Sequence, residues 1–321
     1  MTDSTLSGQC SRLHWVDFMK MMGMFFIIYG HLFSYGYEYV YAFNVPVFFI
    51  LAGFLFKEGQ SRPVFWRKLW WQLLVPMIAI SVFNNAYLIV NDILHHRLDS
   101  SRFLFPVGML AGEQHFLDVC WFVYTLVLLK VISFFVRGNR LRCLLAVAFL
   151  VAAFFVAPEI QSHGWCNAAL CVLLSYPFFV IGHLVKTGGF AERRLPWWAC
   201  VSGALFSLVA LFFITKANGE VFIYSFVYGN SLSLYILGGV TGTALLFFFS
   251  KLFDHPADWV RTLSAGSIIT LGFHRYFIVF YRHFIDRNPL DVPVALAILL
   301  IFIPVIRFCI RHFPWLVGNR E

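Results

Sequence analysis

From residue 15 to residue 310 the sequence keeps returning to apolar runs of about 20 residues, the length an α-helix needs to cross a hydrocarbon core, with short polar connections between them. Nothing constrains the chain more. A bilayer offers no water to backbone N–H and C=O groups, so a segment crossing it must pair them internally. Runs without strict two-residue alternation do this as helices and not as a barrel. With 60 % of 321 residues hydrophobic, 12 % charged and a mean hydropathy of +0.76, no water-soluble core could absorb the remainder.

The expected fold is therefore all-α: a polytopic integral membrane protein of about ten transmembrane helices. The spans are expected at 15–33, 39–56, 73–90, 119–136, 143–156, 166–185, 197–214, 232–249, 264–281 and 292–310. A single membrane domain, 15–312, then lies between a polar N-terminal segment, 1–14, and a short tail, 313–321. Residues 15–33 lack an A-x-A-like cleavage site and are followed at once by a second apolar run, so they read as a retained span and not a secretion signal.

The net charge of +8 does not point to nucleic acid, because the basic residues sit in short loops. Lys57, Arg62, Arg67, Lys68, Arg137, Arg140, Arg142, Lys186, Arg193 and Arg194 fall on the side of the N-terminus. Arg97, Arg102, Lys216, Arg282 and Arg287 fall on the other. The positive-inside rule then puts both termini in the cytoplasm. The ten tryptophans fall at or near span ends, where an amphipathic ring prefers the interface. The seven cysteines form no CxxC pair and read as small apolar fillers, so no metal is expected.

The first span, WVDFMKMMGMFFIIYGHLF, carries Asp17, Lys20 and His31 through a lipid-length stretch. At 3.6 residues per turn, positions 17, 20, 24, 28 and 31 share one side of the helix, while Phe25, Phe26 and Ile27 lie mostly elsewhere. Lys20 and His31 are three turns apart, roughly 16 Å. The plain alternative is an i,i+3 ion pair at the membrane surface with a histidine at the far interface. Three ionisable groups on one face favour function, since charge in hydrocarbon is costly. Lys20, with Arg67 and Lys68 returning to the same mouth, could hold a phosphate-bearing cytoplasmic donor. His31 could take a proton from a hydroxyl or itself attack a thioester, and Asp17 could orient Lys20. A proton path would fit this spacing nearly as well.

Six segments together resemble a known family. They are W-V-D-x-x-K-x(10)-H, V-P-V-F-F-I-L-A-G-F-L-F, F-W-R-K-L-W-W-Q-L-L-V-P, C-W-F-V-Y-T-L, Y-P-F-F-V-I-G-H-L and A-G-S-I-I-T-L-G-F-H. In this order, over residues 15–310, they resemble the acyltransferase-3 family of integral membrane acyltransferases. The resemblance implies transfer of an acetyl or related group from cytoplasmic acetyl-CoA to a hydroxyl of a cell-envelope carbohydrate, such as O-antigen, exopolysaccharide or a lipid-linked sugar, in a bacterial inner membrane. It makes His31 the essential histidine and Lys20 the basic residue eleven places before it, where arginine is commoner. It aligns Arg67 and Lys68 with the family's paired basic residues, although Gln72 stands at the second position of the usual pair. It aligns His274, beside Arg275, with a late histidine. No esterase-like domain follows the last span, so acceptor transfer is expected within the bundle or with a separate partner.

The partners expected are the glycan or lipid-linked acceptor and membrane lipids, with no nucleic acid. A homodimer or a glycan-assembly partner stays open. Among other residues, Trp121 and Tyr124 could line an acceptor path or simply sit at the interface. Asp118, Glu113 and His115 could grip a sugar from the loop 91–118, whereas Asn84 and Asn85 are expected to bond a neighbouring helix. Two readings from other classes are a proton-coupled transporter or lipid-linked sugar flippase and a structural subunit of a polysaccharide assembly. The first asks for several intramembrane carboxylates, which the spans lack, and the second leaves the polar stripe unexplained.

Overall fold

The computed structural model describes residues 13–156, 164–253, 255–286 and 291–318, so the polar N-terminal segment lies largely outside the described residues. The elements along the chain are α1 (His14–His31), α2 (Tyr37–Tyr41), α3 (Pro46–Phe54), α4 (Arg62–Leu69), α5 (Val75–Leu94), α6 (Phe105–Ala111), α7 (Gln114–Leu117) and α8 (Trp121–Phe135). There follow α9 (Asn139–Phe154), α10 (Gly164–Thr187), α11 (Trp197–Asn218), α12 (Leu232–Ser250), α13 (Asp258–Ala265), α14 (Ser267–Phe284) and α15 (Asp291–His312). Among the described residues the only extended pairing is an isolated antiparallel bridge between Phe222 and Val227.

Every expected span is helical over most of its length, with 39–56 interrupted by a turn at 42–45. Among the described residues, seven stretches are long and apolar enough to cross a membrane, and an eighth if α13 and α14, bent by 84°, form one broken span. The expectation of about ten adds two more: α1, 18 residues that include Asp17, Lys20 and His31, and α9, which has 16. The burial pattern is that of a chain solvated by lipid. Only 22 % of the apolar window of α11 is buried within the protein, and Phe206 and Phe213 stand outward from it.

Inside the bundle, small residues set the packing. A Cβ on Gly53 would stand 1.8 Å from the Phe179 carbonyl oxygen, and one on Gly182 would stand 1.9 Å from that of Ile50. The two glycines face each other across α3 and α10 and bring the backbones into contact. This is how membrane helices gain dispersion energy when lipid removes the hydrophobic drive.

Two elements depart from the sequence reading. The basic segment expected as a loop is helical from Arg62, because Pro63 presets the first turn and Phe65 and Leu69 bury one face. It runs through a π-helical turn, Trp70–Leu74, into α5. Pro76 lacks an N–H and its ring would press on the Gln72 carbonyl of a regular helix. The widened turn relieves this, and Gln72 and Leu73 line a cavity there. The span expected to run straight over 264–281 breaks at Gly266, where a Cβ would lie 2.4 Å from Ile306.

One end of the bundle gathers the basic loops. Lys251 lies over the Trp15 ring and donates to the Arg193 carbonyl, Lys186 donates to the Phe56 carbonyl, and Arg142 pairs with Glu58. The opposite end carries His31, Asp118, Arg275 and the ion pair Arg282–Asp291.

Candidate functional site

Two cavities lie along α1. The larger, about 950 Å³, is at the basic end and is lined by Asp17, Lys20, Met24 and Ile27 of α1, Gln72 of the π turn, Lys130 of α8, and Ser264 and Ser267 flanking the Gly266 break. The second, about 470 Å³, is lined by Ile27, His31, Tyr41, Asn44, Asp118, Trp121, Phe222, Tyr224 and Arg275. Ile27, Phe122 and Leu271 line both. The cavities therefore meet end to end at an apolar collar, with His31 one turn beyond it. The cavity-facing stripe of α1 is 17, 20, 24, 27 and 31; Ile28, expected on this side, is packed in the core with no exposure.

Hydrogen bonding fixes the chemistry of the two imidazoles. His31 Nδ1 lies 2.8 Å from the Ile27 carbonyl oxygen. A carbonyl can only accept, so Nδ1 carries a proton, and in the neutral ring the basic lone pair is on Nε2. His274 does the same through the Leu271 carbonyl at 2.8 Å and the Thr270 carbonyl at 3.1 Å. Its Nε2 is buried with no partner among the described residues. The rings stand 4.9 Å apart, nearly perpendicular at 73°.

The expected residues divide between the cavities. His31 and His274 come together at the collar. Asp17 does not join them: it is buried in the larger cavity, about 21 Å along α1 from His31, and accepts from Ser264 Oγ at 2.6 Å. Lys20 lines the same cavity. Lys68 lines an adjoining 260 Å³ cavity with Lys57, Gln60, Gln72 and Lys130, and donates to Gln60 at 3.2 Å. Arg67 is exposed on α4 and lines none of these cavities. Trp121 lines the second cavity, whereas Tyr124 donates to the Leu110 carbonyl at 3.1 Å. Within the loop 91–118, Asp118 reaches that cavity, while His115 is engaged by Arg102 at 2.7 Å. Asn84 accepts from Tyr276 at 2.9 Å and Asn85 donates to the Phe116 carbonyl at 2.8 Å, the helix-bonding role expected of them.

Four contributors had no assigned role in the sequence reading. Lys130 borders both the 950 Å³ cavity and its neighbour, and its signal was a lone cation in an apolar span. Arg275 pairs with Asp118 at the second cavity. Asp118 holds φ +45° and ψ −128°, a strained conformation for a residue with a Cβ, of the kind that collects at functional sites. Asn44 is buried in the wall of the same cavity. Also there, burial first and the Asp118 carboxylate next hold the Tyr224 phenol above its ordinary pKa, so it faces the cavity as a donor.

A basic, partly polar chamber leads through an apolar collar to an aromatic chamber with His31 at its inner end and His274 packed behind it. The family model described as an acyltransferase domain, of the acyltransferase-3 type, matches residues 13–310. No curated protein and no solved structure gives a significant match.

Proposed function

The chain belongs to the acyltransferase-3 family and is a membrane acyltransferase, and from that premise we propose that it moves an acetyl group from cytoplasmic acetyl-CoA to a hydroxyl of a cell-envelope carbohydrate. The acceptor class is O-antigen, exopolysaccharide or a lipid-linked sugar, and the site of action is a bacterial inner membrane. The observation that carries this reading is the pair of cavities meeting at Ile27, Phe122 and Leu271. Lys20 and Lys130 suit the phosphates of the donor, with Lys68 at the adjoining cavity; Arg67, expected to join them, is exposed on the same helix as Lys68. The collar is apolar, so a solvated sugar would have to shed its water there, which favours group transfer over flipping.

His31 Nε2 removes the proton of the acceptor hydroxyl as its oxygen bonds to the thioester carbon. The C–S bond breaks, and the departing thiolate takes the proton back from the imidazolium. The same lone pair could instead carry the acyl group first. The Ile27 carbonyl holds the reactive tautomer in either case, and His274 supports the ring from the side. Asp17, fixed by Ser264, sets the charge around Lys20. Envelope-glycan NMR of cells with and without the gene tests the proposal. O-acetyl signals that require the gene and vanish with His31→Ala are expected, and signals indifferent to both would sink it.

A further inference from the structure

Asn44, on the turn between α2 and α3, is 1 % exposed and lines the second cavity, yet neither its amide oxygen nor its amide nitrogen has a hydrogen-bond partner among the described residues. Its backbone N–H is satisfied by the Val40 carbonyl at 2.9 Å, so only the side chain is unspent. A buried carboxamide without partners opposes folding, and an apolar residue of similar volume would serve the fold better. Of the other polar groups of this cavity, Asp118 is paired with Arg275, and His31 Nδ1 with the Ile27 carbonyl. Asn44 Nδ2 faces Gly30, where a Cβ would stand only 3.1 Å away, and Gly30 precedes His31.

Resting on the acyl-transfer reading above, we propose that Asn44 is the positioning residue of the acceptor, gripping two adjacent hydroxyls of a sugar ring so that one of them is delivered to His31. A carboxamide offers a donor and an acceptor side by side, and a vicinal diol offers the complement. The reactive hydroxyl accepts from Asn44 Nδ2 and donates to His31 Nε2. Its neighbour donates to Asn44 Oδ1. When the reactive oxygen bonds to the acyl carbon, its proton passes to His31 and thence to the leaving thiolate, so no further reactant is needed. The required acceptor is a vicinal diol and not an isolated hydroxyl.

The test uses the full-length protein in detergent, labelled acetyl-CoA, and envelope carbohydrate extracted from cells lacking the gene. Asn44→Leu, and Asn44→Ala in case leucine overpacks, should shift the partition of acetyl from carbohydrate to water at least tenfold. The melting temperature should hold or rise, because an orphaned amide has been removed. A lowered melting temperature with proportional loss of transfer would make Asn44 structural and overturn the assignment, as would an unchanged partition. Wild-type protein that transfers nothing from acetyl-CoA would overturn the acyl-transfer reading instead, and the melting temperatures would still judge Asn44.

Discussion

The imidazoles of His31 and His274 stand 4.9 Å apart with their planes at 73°, each fixed through Nδ1 to a carbonyl of its own helix. Only His31 opens onto the second cavity, while His274 is wholly buried behind it. The two should therefore fail differently. His31→Ala removes the proton acceptor and should lower acetyl transfer by about 10²- to 10⁴-fold. His274→Phe keeps the ring volume and should cost about tenfold, or about 1.4 kcal/mol of transition-state stabilisation. Initial rates with labelled acetyl-CoA decide this, and equal losses would mean that both imidazoles act directly.

The geometry separates cations that the sequence motif groups together. Lys20 and Lys130 line the larger cavity along α1, and Arg67 does not. Lys20→Ala and Lys130→Ala should each raise KM for acetyl-CoA about tenfold, the order of one charge-assisted hydrogen bond, and flatten its dependence on salt. Arg67→Ala should change KM by no more than about twofold, as expected of an exposed charge. A larger effect at Arg67 than at Lys130 would move the donor's phosphates out of the cavity.

The helical architecture and the Lys20–His31 stripe were legible because both are written in periodicity: apolar runs of lipid length and polar residues spaced by close to whole helical turns. His274 was legible only through resemblance, since one histidine in an apolar helix looks like any buried one. Lys130, Asn44 and the Asp118–Arg275 pair depend on which helices become neighbours, and a linear pattern does not encode that. The basic segment near Arg67 misled because its charges look like a loop, whereas Pro63, Phe65 and Leu69 make it a helix. The breaks at Gly266 and Trp70–Leu74 were hidden for a related reason: a glycine's packing partner and a proline's clash are resolved only in three dimensions.

The glycines at 53 and 182 carry a stability prediction. A methyl group on either would meet a carbonyl oxygen of the facing helix at under 2 Å, so α3 and α10 must separate to admit it. Gly53→Ala and Gly182→Ala should each destabilise the bundle by about 3 kcal/mol, the upper part of the range for overpacking. The measure is the fraction remaining monodisperse on heating in detergent. The double variant should cost less than the sum, because one helix separation relieves both clashes.

Glu58 and Arg142 give the fold an acid limit. Arg142 is 2 % exposed; it donates to Glu58 and to the Ser133 carbonyl at 3.0 Å, and lies 2.9 Å from His183 Nε2. Its hydrogen bond first, and then its charge with those of His183 and Lys186, hold the Glu58 carboxyl below its ordinary 4.5. A carboxyl whose folded pKa is depressed adds stability above its unfolded value and loses it as pH falls through the lower, folded one. The melting temperature should therefore fall as pH drops below about 4.5, whereas between about pH 5 and 7 the pair's contribution is fully present and does not vary with pH. Glu58→Gln should cost about 1–2 kcal/mol at pH 7, since it leaves a buried guanidinium without its carboxylate. That is less than for a fully buried pair, because half of the Glu58 side chain is exposed. The variant should then lose this share of the acid sensitivity, and an identical acid profile in both proteins would place the limit at another carboxylate.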